Sequence, residues 1–224
     1  MSEKNPVQSQ SRAAKRQTMV KDRRNERMRR YQKNKREMLI IKSTVIALVV
    51  VILAAAGFGA FTWLRDRDLN QEPEGVAVFT YAQGTHIEDE INYIGQEGYQ
   101  GEIPPAGGAH NSTPQQCAVY TASIREESAI HSLEHGAVWI TYQSTLPADQ
   151  VENLKELAEG DAYMLMSPLD GQPAPIVLTA WNRQLTMQAF DKTTVERFIR
   201  SYKNKRGITP EIGASCAGTD ATAG

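Results

Sequence analysis

The 224-residue chain carries 25 Lys and Arg against 26 Asp and Glu, a formal charge of −1, with 41% hydrophobic residues. That near-neutral total conceals an asymmetry: residues 1–42 hold 14 of the bases against four acids (Glu3, Asp22, Glu26, Glu37), and the part after position 63 holds 11 bases against 22 acids. The basic leader has Tyr31 as its one aromatic, too little to stack bases, which argues against a nucleic-acid partner and for a segment that lies on anionic membrane lipid, each base near the surface contributing about 1 kcal/mol.

Residues Ser43 to Trp63, STVIALVVVILAAAGFGAFTW, contain no charge. As a helix they extend roughly 32 Å, enough for a hydrocarbon core of about 30 Å, and they lack the polar stripe of a buried soluble helix. A cleaved signal peptide has a shorter apolar core and a shorter basic leader, so the expectation is an uncleaved single-span transmembrane helix, with removal near Ala54-Ala55-Ala56 as the alternative. The excess of bases before the span leaves the N-terminus in the cytoplasm and exports the C-terminal domain, a single-pass protein of the cell (plasma) membrane. Ala55/Gly59 and Ala56/Ala60 are spaced as in helix dimers that pack through the membrane, and they admit a dimer.

The expected organisation is a basic cytoplasmic leader (1–42), a transmembrane helix (43–64), a polar linker (65–74), one extracytoplasmic domain (75–212) and a flexible tail (213–224). In chain order, 76–81 reads as a strand, 95–116 as a long Gly/Pro-rich loop, and 137–142 as a β-branched and aromatic strand. A helix follows over 147–158, with Pro147 at its start and Gly160 as its stop. Strands are expected at 163–166, 176–181 and 185–188, the last two joined by a turn at Asn182-Arg183. A helix over 193–205 closes the pattern, with a Thr193/Glu196 capping box and Gly207 as its end. This order implies an α+β class: a small mixed or antiparallel sheet with two main helices on one face.

All four histidines, His86, His110, His131 and His135, fall within 50 residues. Imidazole is the commonest metal ligand, and His131 and His135 stand four apart, a spacing that puts both on one helix face. Glu134 can ligate, act as a base, or accept an imidazole N–H. The competing reading has these rings packed under the loop as structural groups. HSLEH also matches the inverted zinc-peptidase pattern, with Glu134 as base, but the Gly136 and β-branched run that follow leave any helix there one or two turns long.

PPAGGAH, then HSLEHGAVWITY, then PIVLTAW, with Pro210-Glu211 after the late helix, resembles the membrane-anchored bacterial family known as domain of unknown function 3105, over roughly residues 75–212. Ala106 and Gly107 stand where the family usually has Thr and Ser. The resemblance implies an extracytoplasmic domain, supplies no activity, and directs attention to His110, His131, Glu134 and His135.

Three imidazoles with a carboxylate suit zinc, whereas thioethers with imidazole suit copper. Met164 and Met166 alternate on one expected strand and would face the same side, a copper arrangement if they face the histidines and core otherwise. Cys117 and Cys216, both in the exported part, are expected to form a disulfide, with Cys117 as a thiolate ligand the alternative. The sequence therefore points to a non-enzymatic, membrane-anchored, metal-binding domain that takes copper or zinc through His110, His131, His135, Glu134 and His86. An envelope interaction or structural module without metal is the second reading, and a zinc hydrolase the third.

Overall fold

The computed structural model describes residues 6–94 and 98–218. The first residues of the expected leader (1–5), three residues of the expected long loop (95–97) and the end of the expected tail (219–224) lie outside the described residues. The chain divides into two compact units, Met1–Leu64 and Arg65–Gly224.

The first unit is helical throughout its described part, within helix α1 (Pro6–Leu69). Within Thr18–Leu69 this helix has an apolar stretch long enough to cross a membrane. Its apolar side chains, Ile46, Leu53 and Phe58 among them, are exposed, as a lipid-facing helix requires and a soluble core helix does not. Charged residues after Trp63 do not end the helix, which runs on to Leu69.

The second unit is an α+β domain. Its strands are β1 (Ala77–Val78), β2 (Val138–Tyr142), β3 (Met164–Pro168), β4 (Ile176–Ala180) and β5 (Arg183–Met187), in the spatial order β1-β5-β4-β2-β3. The sheet is mixed: β2 and β3 run parallel, with Trp139 opposite Leu165, and the other pairs are antiparallel. A parallel pair needs a crossover, and helix α3 (Ala148–Ala158) supplies it between β2 and β3. The β4–β5 hairpin turns through Trp181-Asn182, one residue earlier than the expected Asn182-Arg183, because Asn182 takes the left-handed conformation at φ 60°.

Period-two alternation sorts the strand residues into two cores. Val138, Ile140, Met164, Met166, Ile176 and Leu178 face α3 and helix α4 (Lys192–Tyr202), where Leu154, Val195 and Phe198 meet them. Trp139 and Leu165 face the other way and join Trp181, Tyr120 and the residues Ile130 and Leu133 of helix α2 (Glu126–Glu134). The two expected helices, α3 and α4, share one face as expected, and the additional helix α2 covers the other.

Two expected boundaries move for identifiable reasons. Helix α4 is capped by Asp191, whose carboxylate accepts from the Thr194 amide at 2.8 Å in place of the Thr193/Glu196 box. It ends at Tyr202, before Gly207, since Asn204 adopts φ 46° and donates its amide to the Gly136 carbonyl at 2.8 Å. The 76–81 strand pairs only at Ala77 and Val78. Beyond it, the chain leaves the ladder to bond the hairpin turn: the Phe79 amide donates to Asn182 O, and the Tyr81 amide to Asn182 Oδ1.

Candidate metal centre

Helix α2 is short and mostly buried. Glu126 and Glu127 sit in its first turn, where the positive end of the helix dipole favours them. Ala129, Ile130 and Leu133 anchor it on Trp139 and Trp181. Its remaining inward positions are polar: Ser128, His131, Ser132 and Glu134 are all buried. His135 is the C-cap residue and keeps right-handed geometry, so its ring follows that of His131, with centroids 4.4 Å apart. Gly136 then breaks the helix at φ 104°, where a Cβ would lie 2.9 Å from the Asn204 Cα.

The proline-glycine loop brings the third ring. Its Gly107 and Gly108 take positive φ and lie against the Tyr81 side chain, whose Cβ a Cβ at Gly107 would meet at 2.9 Å. Glu102 holds the loop from inside, accepting from the Tyr81 hydroxyl at 3.0 Å and the Ala106 amide at 2.9 Å. The fourth ring arrives on an adjacent strand-like segment: the Ile87 amide donates to His110 O at 2.8 Å, and the His110 amide to Thr85 O at 3.0 Å. As a result the centroids of His86, His110 and His131 form a triangle with all three sides 4.9 Å.

The hydrogen bonds of these rings decide their protonation pattern. Nδ1 of His110 bonds Gly108 O at 2.8 Å, Nδ1 of His131 bonds Asn111 O at 2.7 Å, and Nδ1 of His135 bonds Ser215 O at 2.6 Å. A carbonyl oxygen only accepts, so each Nδ1 carries the proton, and in the neutral ring each Nε2 presents a lone pair. This is the orientation that metal-bound imidazoles take, with the outer nitrogen tied to a backbone carbonyl. Burial pushes the His131 imidazole down to about 4, aided by the neighbouring His135, His110 and His86 and opposed by its bond to Asn111, so that ring is neutral near pH 7.

Glu134 completes the group. Its Oε1 accepts from the Gly84 amide at 2.7 Å, and Oε2 lies 2.9 Å from His110 Nε2 and 4.0 Å from His86 Nε2. Burial opposes its ionisation, but the His110 ring and the Gly84 amide outweigh that, and its pKa falls below the ordinary carboxylate value. Both Glu134 and His110 are fully buried, and no hydrogen bond satisfies His110 Nε2 or Glu134 Oε2.

Ligand atoms of His86, His110, His131 and Glu134 all lie within 4.8 Å of one another. Four ligand atoms around one tetrahedral ion at 2.0 to 2.1 Å stand about 3.3 to 3.4 Å apart, so the set has to contract by up to about 1.4 Å to close on it. This His/Glu group can hold a metal ion. His135 is not in it: its Nε2 faces Glu211 at 3.3 Å, and His131, His135 and Glu211 form a second group within 4.8 Å.

Residues 86–218 match the family described as protein of unknown function (DUF3105). The chain belongs to this family. The match to DUF3105 runs from His86 itself and takes in every histidine, Glu134, Glu211 and both cysteines. No curated protein and no solved structure matches the chain.

The structure bears on three alternatives among the ligands, and the expected disulfide is present. Cys117 is not a thiolate ligand, because it is joined to Cys216 in a disulfide with the Cα atoms 5.5 Å apart. Met164 and Met166 do face one side, but it is the α3/α4 core, across the sheet from the histidines, so the thioether argument for copper lapses. Glu134 is grouped with His110 and His86, with one oxygen held by Gly84, an arrangement that suits a ligand better than a general base between His131 and His135. Glu211 was missed as a candidate because a Pro-Glu pair has no ligand spacing. It reaches the site on the segment after α4, with its amide donating to Glu134 O at 3.0 Å.

Proposed function

We propose that this DUF3105 domain is a non-enzymatic, membrane-tethered carrier of one transition metal ion, zinc by preference, at His86, His110, His131 and Glu134. The observation that carries the reading is the buried pair of acceptors, His110 Nε2 and Glu134 Oε2, 2.9 Å apart and without hydrogen-bond partners. A cation held by both atoms would supply the partner that neither buried ligand atom has. Three neutral imidazoles and one carboxylate carry charge −1, a match for a divalent ion of borderline softness, and no sulfur ligand stands among them.

The carrier reading places the site outside the cell, tethered by α1. Its support is the apolar length of α1 and the 14 bases in residues 1–42, which favour a cytoplasmic N-terminus and contact with anionic lipid. The small-residue spacing within the span is compatible with a dimer.

Elemental analysis of the full-length protein in detergent, beside the His110→Ala/His131→Ala double variant, tests the function. About one zinc per chain in the wild type and none in the variant is expected. Equal and negligible metal in both overturns the reading and leaves the histidines as structural groups of an envelope module.

A further inference from the structure

The second group, His131, His135 and Glu211, differs from the first in exposure. Its rings are buried, whereas the Glu211 side chain is half exposed and the Glu134 side chain is fully covered. His135 is as firmly oriented as a resident ligand: its Nδ1–H is donated to Ser215 O at 2.6 Å, which turns Nε2 to Glu211 at 3.3 Å. His131 belongs to both groups, but its Nδ1 is committed to Asn111 O, so it offers a single lone pair to either. The two groups therefore cannot both use His131 at once.

We propose that His135 and Glu211 form an outer, transient metal position from which the ion passes to the buried position by exchanging ligands around the fixed Nε2 of His131. This inference rests on the metal-carrier reading above. An anionic oxygen in solvent is the group that captures a hydrated divalent cation, and a fixed imidazole behind it replaces the first water. His131 then binds from the inner side, and Glu134, His110 and His86 displace His135 and Glu211. No ligand needs to travel far: the His131 centroid is 4.4 Å from that of His135 and 4.9 Å from those of His110 and His86. The Glu211 amide is bonded to the Glu134 carbonyl, which holds the two carboxylate-bearing residues in register. Two ligands with open positions bind weakly and exchange fast, and four closed ones bind tightly, so the exchange runs inward.

A waypoint has a kinetic signature that a ligand lacks: removing it slows entry and exit equally and leaves the equilibrium constant unchanged. The test is stopped-flow zinc loading of the metal-free full-length protein in detergent, with zinc alone as the probe, and release to a chromophoric chelator, for wild type, Glu211→Gln and Glu211→Asp. Glu211→Gln keeps the backbone bond to Glu134 and alters an exposed side chain. The expected result is a tenfold or greater slowing of both loading and release in Glu211→Gln, a dissociation constant within twofold of wild type, and rates largely restored in Glu211→Asp. Wild-type rates in Glu211→Gln overturn the proposal and point to entry past the exposed His86. A weakened dissociation constant also overturns it, by making Glu211 a ligand of the tight site. Failure of the wild type to bind zinc at all overturns the carrier reading itself, and this inference with it.

Discussion

Nε2 of His110 and Oε2 of Glu134 approach to 2.9 Å in a fully buried setting, and neither has a hydrogen bond to satisfy it. Replacing Glu134 by Gln separates the two explanations of that pair. With Oε1 still accepting from Gly84, a Gln side-chain amide donates to His110 Nε2 and gives that nitrogen a hydrogen bond. The account predicts at least a tenfold loss of zinc affinity, with metal-free stability unchanged or raised. A buried imidazolium–carboxylate ion pair would instead lose about 3 to 5 kcal/mol on this substitution. Chelator competition and denaturant unfolding of the metal-free protein supply the two readouts.

His131 makes the metal-free protein sensitive to acid. Its folded pKa, about 4, lies below the 6.5 of an unfolded histidine, so between those values the unfolded chain binds more protons. Its contribution is complete above pH 6.5 and is lost as the pH falls toward 4, by roughly 2 to 3 kcal/mol over that window. Urea midpoints of metal-free protein at pH 7 and pH 4.5 should differ accordingly, and His131→Asn should flatten the difference.

The disulfide couples the tail to the site. Cys216 follows Ser215, whose carbonyl orients His135, and the Cys117 amide donates to Cys216 O at 2.9 Å. Opening this link, which spans 99 residues, should destabilise the domain by up to about 4 to 5 kcal/mol on the chain-entropy model. A Cys117→Ser/Cys216→Ser variant should show that loss in its unfolding midpoint, and its zinc loading should slow as His135 loses its partner.

Gly136 should resist substitution. Gly136→Ala combines a left-handed backbone with a Cβ 2.9 Å from the Asn204 backbone, and a cost of about 1 to 3 kcal/mol is expected. Gly160→Ala, also at positive φ but with no atom within 4 Å of the new Cβ, should cost less. Unfolding midpoints of the two variants give the comparison.

Met166 should be silent toward metal. Met166→Leu exchanges similar volumes in the α3/α4 core, at a cost below about 1.5 kcal/mol. Its zinc and copper content should equal wild type, since the side chain faces away from the imidazoles.

The regular half of the domain was legible because its side chains obey one period at a time. β2, β3 and β4 show β-branched or apolar alternation, and α3 and α4 carry an apolar stripe. Helix α2 escaped that logic because a functional site occupies its buried face: Ser128, His131, Ser132 and Glu134 stand where Leu or Ile would mark a helix. The clustering of His86, His110, His131 and Glu134 could be anticipated from their chain proximity. The split that sends His135 to Glu211 could not, because it depends on a tail returning across about 80 residues. The shared side of Met164 and Met166 followed from alternation, but which side it was depended on where α2 packs.

X-ray absorption at the zinc edge of the zinc-loaded full-length protein tests the central claim most directly. The account predicts a first shell of nitrogen and oxygen at about 2.0 to 2.1 Å, outer-shell scattering from about three imidazoles, and no sulfur near 2.3 Å. A sulfur shell, a single imidazole, or a protein that keeps no zinc through dialysis would contradict it.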